Sequence, residues 1–385
     1  MTEPRADERL EALQQRIERI LLGGARQYTR AEVAERSGVP AERATALWRA
    51  LGFATAADDA AVFTDGDIRA LRIANELIQA GIIDPAVAIS SARMIGQHMS
   101  RLAESQVLML RDVVAANPEL ADERQLARLV EHLAPDLEQL QDFVWRRHLA
   151  AYSVRMLVSS DEDIDERRQV VGFADMVGFT SLTRRSTEAE LVAVVDRFDA
   201  LAAEVVADNH GRIVKMLGDE VLFVADSPTE GAEIALTLLE RAEQDPDVPS
   251  LRAGLALGRV LNRFGDVYGS VVNIASRLTG IARPGTVLVD RELSEVLADE
   301  EGYAVRPRRP VSVRGYARLR SASLRRAGDE PPSLAESAQR LTAELLALVG
   351  DTDDHTDEHE EPHIPLEPDD DRHRRARRRR RHDRA

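Results

Sequence analysis

An α+β protein is predicted, an all-helical N-terminal region followed by a ferredoxin-like sandwich, and three observations predict it. Apolar residues between positions 1 and 150 recur at helical spacing, as in Leu10, Leu13, Ile17, Ile20 and Leu21. Residues 169–317 alternate short apolar runs with amphipathic stretches in the order β-α-β-β-α-β, the order of a split βαβ sandwich. The 385-residue chain is 44% hydrophobic and 31% charged, which suits globular domains and leaves room for two of them.

The helical region divides at its turn signals. Thr29 is placed to cap a helix from Arg30 to near Gly38, and a second helix runs from Pro40 to Leu51. Longer helical patterns cover 65–80, 85–115 and 122–150, separated at Gly81 and at Asn117-Pro118. Residues 151–168 turn polar and acidic and read as a linker. The sandwich begins with a strand at Val170–Phe173 and a helix at Thr187–Ala207 with Leu191, Val194, Val195, Phe198 and Leu201 on one face. A hairpin follows, Ile213–Leu217 and Val221–Val224, turned by Gly218-Asp219. A helix at 228–241, a strand at 251–260, a helix at 271–281 and a strand at 286–289 complete the pattern. Domain boundaries are expected at 1–150, 151–168, 169–325, an amphipathic helix over 326–350, and a disordered tail over 351–385. That tail carries 11 acidic residues in 351–371 and 9 arginines in 372–385.

Composition narrows the classes. No apolar run approaches the roughly 18 residues of a membrane span. The first residues, Met1-Thr2-Glu3-Pro4-Arg5, carry no apolar segment of a secretory signal, so a cytoplasmic location is expected. The absence of cysteine excludes disulfides and zinc–thiolate sites. A formal charge of −16 argues against a bulk nucleic-acid partner. Of 51 basic residues, Lys215 alone is lysine. Either it survives by chance in an arginine-rich chain, or its position needs a compact ammonium rather than a planar fork.

Four stretches gather the chemistry. Phe173-Ala174-Asp175-Met176-Val177-Gly178-Phe179-Thr180 puts a carboxylate at a strand end, before a turn and a helix start whose free N–H groups suit phosphate. Lys215-Met216-Leu217-Gly218-Asp219 puts a second carboxylate at the hairpin tip, where the two aspartates can converge. Two carboxylates plus substrate phosphates hold magnesium, and two such ions suit in-line displacement at phosphorus. In the stretch from Asp266 to Arg277, Asn273 and Arg277 stand four apart on one helix face. Leu251-Arg252-Ala253-Gly254 places an arginine in the strand beside the hairpin.

In this order, these motifs resemble the catalytic domain of class III adenylate cyclases, over about two fifths of the chain. The resemblance implies a homodimer with shared sites that turns ATP into 3′,5′-cyclic AMP and pyrophosphate, using two divalent cations, Mg²⁺ or Mn²⁺. It implies that Asp175, Met176 and Asp219 are the metal-site positions. Lys215 and Asp266 resemble the pair that reads adenine, Asn273 the residue that orients the ribose, and Arg277 the one that steadies charge at the α-phosphate. Arg252 resembles a triphosphate-binding arginine, Arg314 stands where many members have a phosphate-contacting lysine, and Phe179 and Thr180 fall at substrate-binding positions. Guanine-specific members tend to carry Glu and Cys in place of Lys215 and Asp266, so the resemblance implies ATP.

The stretch from Glu32 to Val39, followed by those from Trp48 to Phe53 and from Phe63 to Arg69, resembles the helix-turn-helix start of MerR-like regulators. Its readings are DNA binding, a helical packing module, or control of the catalytic domain. The layout resembles pH-responsive bacterial cyclases, and His98, His132 and His148 fall in this region. In the tail, His355, His359 and His363 sit among acids as metal ligands or as a solvated segment. The alternative for the whole chain is a DNA-binding transcription regulator whose cyclase-like domain senses nucleotide. A guanylate cyclase is opposed by Lys215 and Asp266, and a diguanylate cyclase by the absent Gly-Gly-Asp/Glu-Glu-Phe signature.

Overall fold

The structure, a computed structural model, describes residues 6–54, 57–158 and 168–329. The acidic linker core, the 330–350 part of the expected amphipathic helix and the charged tail with its three histidines lie outside the described residues. The chain forms two compact units, 1–171 with 256–274, and 172–255 with the chain from 275 onward.

The first unit opens with α1 (Ala6–Leu21), α2 (Arg30–Ser37) and α3 (Ala41–Ala50). Thr29 caps α2 in a reciprocal box with Glu32, and Gly38 ends it in the left-handed region at φ 71°. Thr64 and Asp67 form a second box at the start of α4 (Asp65–Gln79). Asp84 caps α5 (Pro85–Ala116), with Pro85 in the first turn. Val33, Val39, Ala44, Leu47, Phe63, Ile68, Leu71 and Ala92 bury together as the core of this module. Gly96 of α5 is part of that packing: a Cβ there would stand 2.3 Å from the Leu51 carbonyl oxygen.

Arg36 and Arg43 of the helix-turn-helix stretch are engaged within the module. Arg43 donates to Asn75, Arg36 lies over the Tyr28 ring, and Arg72 donates to the Arg36 carbonyl. Helix α6 (Glu123–Val158) runs further than the sequence pattern indicates, so residues 151–158 are helix rather than linker. Its Leu140, Phe143, Trp145 and Leu149 are more than half exposed. The unit also holds a short ribbon of β5 (Leu261–Arg263) and β6 (Asp266–Tyr268).

The second unit is built on a seven-stranded sheet that includes β1 (Arg168–Met176). After β1 come α7 (Phe179–Arg185), α8 (Glu188–Asp208), β2 (Arg212–Met216), β3 (Glu220–Ala225), α9 (Pro228–Gln244) and β4 (Leu251–Arg259). Then follow α10 (Ser270–Ile281), β7 (Val287–Asp290), α11 (Arg291–Leu297), β8 (Tyr303–Pro307), β9 (Val311–Val313), β10 (Tyr316–Leu319) and β11 (Ser321–Arg326). The sheet order is β2-β3-β1-β4-β7-β11-β8, with β9 and β10 a separate ribbon. Its first four strands reproduce the sandwich expected from the sequence. The last three extend it: β7 lies parallel to β4, and β11 lies antiparallel to both β7 and β8.

Helices α8 and α9 pack beside each other, α8 against β2 and α9 against β3. Phe198, Ala202, Val205, Ile234, Ala235 and Leu238 are their buried contributions. Helix α10 comes so close to β4 that a Cβ on Gly254 would lie 2.3 Å from the Thr279 amide nitrogen and 2.5 Å from the Ala275 carbonyl oxygen. Both atoms are backbone, so the helix would have to move. Gly254→Ala is therefore expected to destabilise the fold by about 1–3 kcal/mol or more, read as a lower midpoint in thermal unfolding.

Candidate active site

The end of β1 is clamped between two neighbours. The Met176 amide donates to the Asp219 carbonyl at 2.9 Å, and the Val177 amide donates to the Ser250 carbonyl at 2.8 Å. The first contact ties the strand to the tip of the β2–β3 hairpin, and the second to the segment entering β4. The tip is closed by Leu217 N–H on the Glu220 carbonyl, with Gly218 at φ 77° supplying the left-handed residue that the reversal needs. Asp175, Asp219 and Arg252 are thereby brought to one place.

Arg252 donates to Asp175 through Nε at 2.8 Å and Nη2 at 2.6 Å, both onto Oδ2. The pair is sheltered, with the Asp175 side chain 13% exposed and that of Arg252 27%. Burial pushes the Asp175 carboxyl above the ordinary carboxylate range, although Arg252 pulls it back; the charge of Asp219 adds to the rise. Glu220, which the sequence reading passed over, belongs to the same group. Burial, then the charges of Asp175 and Asp219, push its carboxyl up to about 7, with Arg252 opposing. Its signal in the sequence was a third acid directly after the hairpin tip, at the first position of a strand that is otherwise apolar.

The remaining candidates are placed as follows. Met176 is buried, so its side chain serves the core and only its backbone faces the hairpin tip. Phe179 is half-buried and Thr180 exposed in the first turn of α7, behind Gly178 at φ 77°. Lys215 is half-buried on β2, opposite Leu222 and just past an irregularity in the register. Arg277 is exposed on α10, and Arg314 is exposed in the turn between β9 and β10. In the first unit, Asp266 is half-buried at the start of β6, where its Oδ1 accepts from the Val267 amide at 2.9 Å. Asn273 is exposed one turn before Arg277 along α10.

The family model described as the adenylate and guanylate cyclase catalytic domain matches residues 165–325. An adenylate cyclase of Streptomyces coelicolor is 44% identical over 295 residues, which are 76% of this chain and 77% of the relative. The chain belongs to the class III nucleotide cyclases. An adenylate cyclase of Streptomyces griseus is 41% identical to this cyclase, over 82% of this chain and 81% of its own. A pH-sensitive adenylate cyclase of Mycobacterium tuberculosis is 31% identical over 78% of this chain and 79% of its own, so the likeness to this cyclase reaches into the helical region.

Domains of this class depend on metal. Among the described residues, no set of three or more His, Asp or Glu side chains is arranged to hold an ion alone. Two carboxylates where a strand end meets a hairpin tip, completed by phosphate oxygens, are a different arrangement. Burial, with the neighbouring carboxylates adding to it, raises both Asp175 and Glu220 despite Arg252, and a divalent cation would fit that donor set. Among the described residues no helix is long and apolar enough to cross a membrane.

Proposed function

We propose that this cyclase converts ATP into 3′,5′-cyclic AMP and pyrophosphate. The observation that carries the reading is the convergence of Asp175 and Asp219 at the β1–hairpin junction with Arg252 beside them, in a chain whose relatives are named adenylate cyclases.

Asp175, the Met176 backbone and Asp219 are assigned to two divalent cations, Mg²⁺ or Mn²⁺. When bound, such ions supply Lewis-acid polarisation and neutralise polyphosphate charge. The protein residues position and stabilise. Lys215 donates to the unprotonated adenine N1, and Asp266 accepts from the 6-amino group. Guanine presents N–H where adenine has N1, leaving the ammonium without an acceptor, and mismatches of that kind are strongly rejected. Asn273 orients the ribose so that its 3′-oxygen lies in line with the α-phosphorus. Arg277 stabilises the charge that grows on the α-phosphate oxygens as the bond to pyrophosphate breaks. Arg252, with Arg314, Phe179 and Thr180 at the periphery, holds the triphosphate.

Each site is assigned to two chains: Asp175, Asp219 and Arg252 from one protomer, and Lys215, Asp266, Asn273 and Arg277 from its partner, in a head-to-tail homodimer. The exposed apolar residues of α6 support self-association. The deciding experiment incubates the purified full chain with ATP or GTP and Mg²⁺ or Mn²⁺ and identifies the product by mass. Cyclic AMP from ATP, with little cyclic GMP from GTP, is expected; cyclic GMP as the main product would refute the base assignment.

Control by the N-terminal unit is part of the proposal, supported by the relative named as pH-sensitive. The histidines support it less. His98 and His132 are exposed and their Nδ1 atoms contact carbonyls of their own helices, Met94 at 2.8 Å and Arg128 at 2.7 Å; His148 is exposed as well. Activity of the full chain and of residues 160–385 measured from pH 5 to 8 is expected to diverge. Superimposable profiles would remove pH control by this unit.

A further inference from the structure

We infer that the Arg252 guanidinium and a divalent cation compete for Asp175 Oδ2, so that uptake of the cation releases Arg252 to the polyphosphate. The inference rests on the proposed assignment of Asp175 to the cations, and goes beyond it by making Arg252 an exchangeable counter-ion.

The geometry of the pair points there. A guanidinium commonly forks across both oxygens of a carboxylate. Here Nε and Nη2 converge on the one oxygen, Oδ2, at 2.8 and 2.6 Å. A carboxylate oxygen offers about two lone-pair directions. Both N–H groups come from one guanidinium edge and cap one side of Oδ2, so a cation on that oxygen would stand against the guanidinium charge and favour its displacement. Arg252 leaves Oδ1 to one cation. An ion held between Asp175 and Asp219 would draw on Oδ2 as well.

The burial of the pair gives the contact a purpose. A carboxylate as sheltered as Asp175 is costly to leave uncompensated. Arg252 offsets that cost until a cation takes over, and the exchange keeps the local charge nearly balanced. The charged groups facing the pair are Asp219 and Glu220. They hold a displaced guanidinium on the same face, where polyphosphate oxygens offer it bidentate acceptors. Cation and polyphosphate are then coupled through one side chain, and the coupling is reciprocal.

The test is Mn²⁺ binding to the full chain without nucleotide, followed by the electron paramagnetic resonance signal of free Mn²⁺. Arg252→Gln is expected to bind Mn²⁺ about tenfold more tightly than the wild type, and Asp175→Asn to weaken binding in both backgrounds. Equal or weaker binding by a folded Arg252→Gln chain, with binding still dependent on Asp175, overturns the exchange alone. Binding that ignores Asp175 overturns the cation assignment and the exchange together. If Arg252→Gln does not fold, the wild type answers by nitrogen-15 arginine spectroscopy. The Arg252 Nε–H resonance, identified by its loss in Arg252→Lys, is expected to move on Mg²⁺ addition, and an unmoved resonance overturns the exchange.

Discussion

Asp175→Ala is expected to lower cyclic AMP formation by a factor of at least about 10²–10³, the usual range for loss of one group that stabilises transition-state charge. The substitution removes a carboxylate that no neighbour can replace. Asp219 lies at the hairpin tip and Glu220 is held partly protonated near neutral pH by burial and by its acidic neighbours. Added Mn²⁺ should recover little of the loss, because what is missing is the donor rather than the ion. The backbone contacts that fix the site, Met176 to Asp219 and Val177 to Ser250, do not involve the Asp175 side chain. The variant should therefore fold, with a circular-dichroism spectrum like that of the wild type. Initial rates across a Mn²⁺ series check the expectation, and a variant restored by high Mn²⁺ would place the essential donor elsewhere.

Lys215→Ala is the second large effect. A hydrogen bond from a charged donor contributes about 1.5–3 kcal/mol, so kcat/KM for ATP is expected to fall roughly 10- to 100-fold. GTP turnover should change far less, because the ammonium has no acceptor on the protonated guanine N1. The ratio of ATP to GTP turnover therefore collapses by the same factor. Lys215 is half-buried near the end of an edge strand, so truncation should cost modest stability. Equal losses for both nucleotides would mean that the lysine supports the fold or the phosphates rather than the base.

Much of this was legible in the residues. The sandwich could be read because its signals are local: alternating apolar runs, a Gly-Asp reversal at 218–219, and capping residues such as Thr187 and Ser227 ahead of α8 and α9. Asp175 and Asp219 could be paired because, in the expected sandwich, the first strand borders the hairpin and its end can meet the hairpin tip. The strands from β8 to β11 could not be read. Arg306, Pro307, Arg308, Arg309 and Pro310 break the alternation that marks a strand, and their place is decided by pairing with β11 and β7. The ionic contact of Arg252 with Asp175 was equally hidden, since it spans 77 residues and depends on β1 and β4 being neighbours. Glu220 was missed for a related reason. An acid at a strand start reads as solvated until the sheet shows it beside two other carboxylates. The end of α6 ran past its expected stop because residues 151–158 carry no breaker, and the acidic stretch that suggested a linker begins only afterward.

The assembly of each site from two chains is tested most directly by mixing two inactive proteins. Asp175→Ala and Arg277→Ala, purified separately and then unfolded and refolded together, are expected to regain activity toward roughly a quarter of the wild-type rate, since half of randomly paired twofold dimers are mixed and each restores one site of two. A mixture that remains as inactive as its parents, with mixed dimers shown to be present, would contradict the shared site.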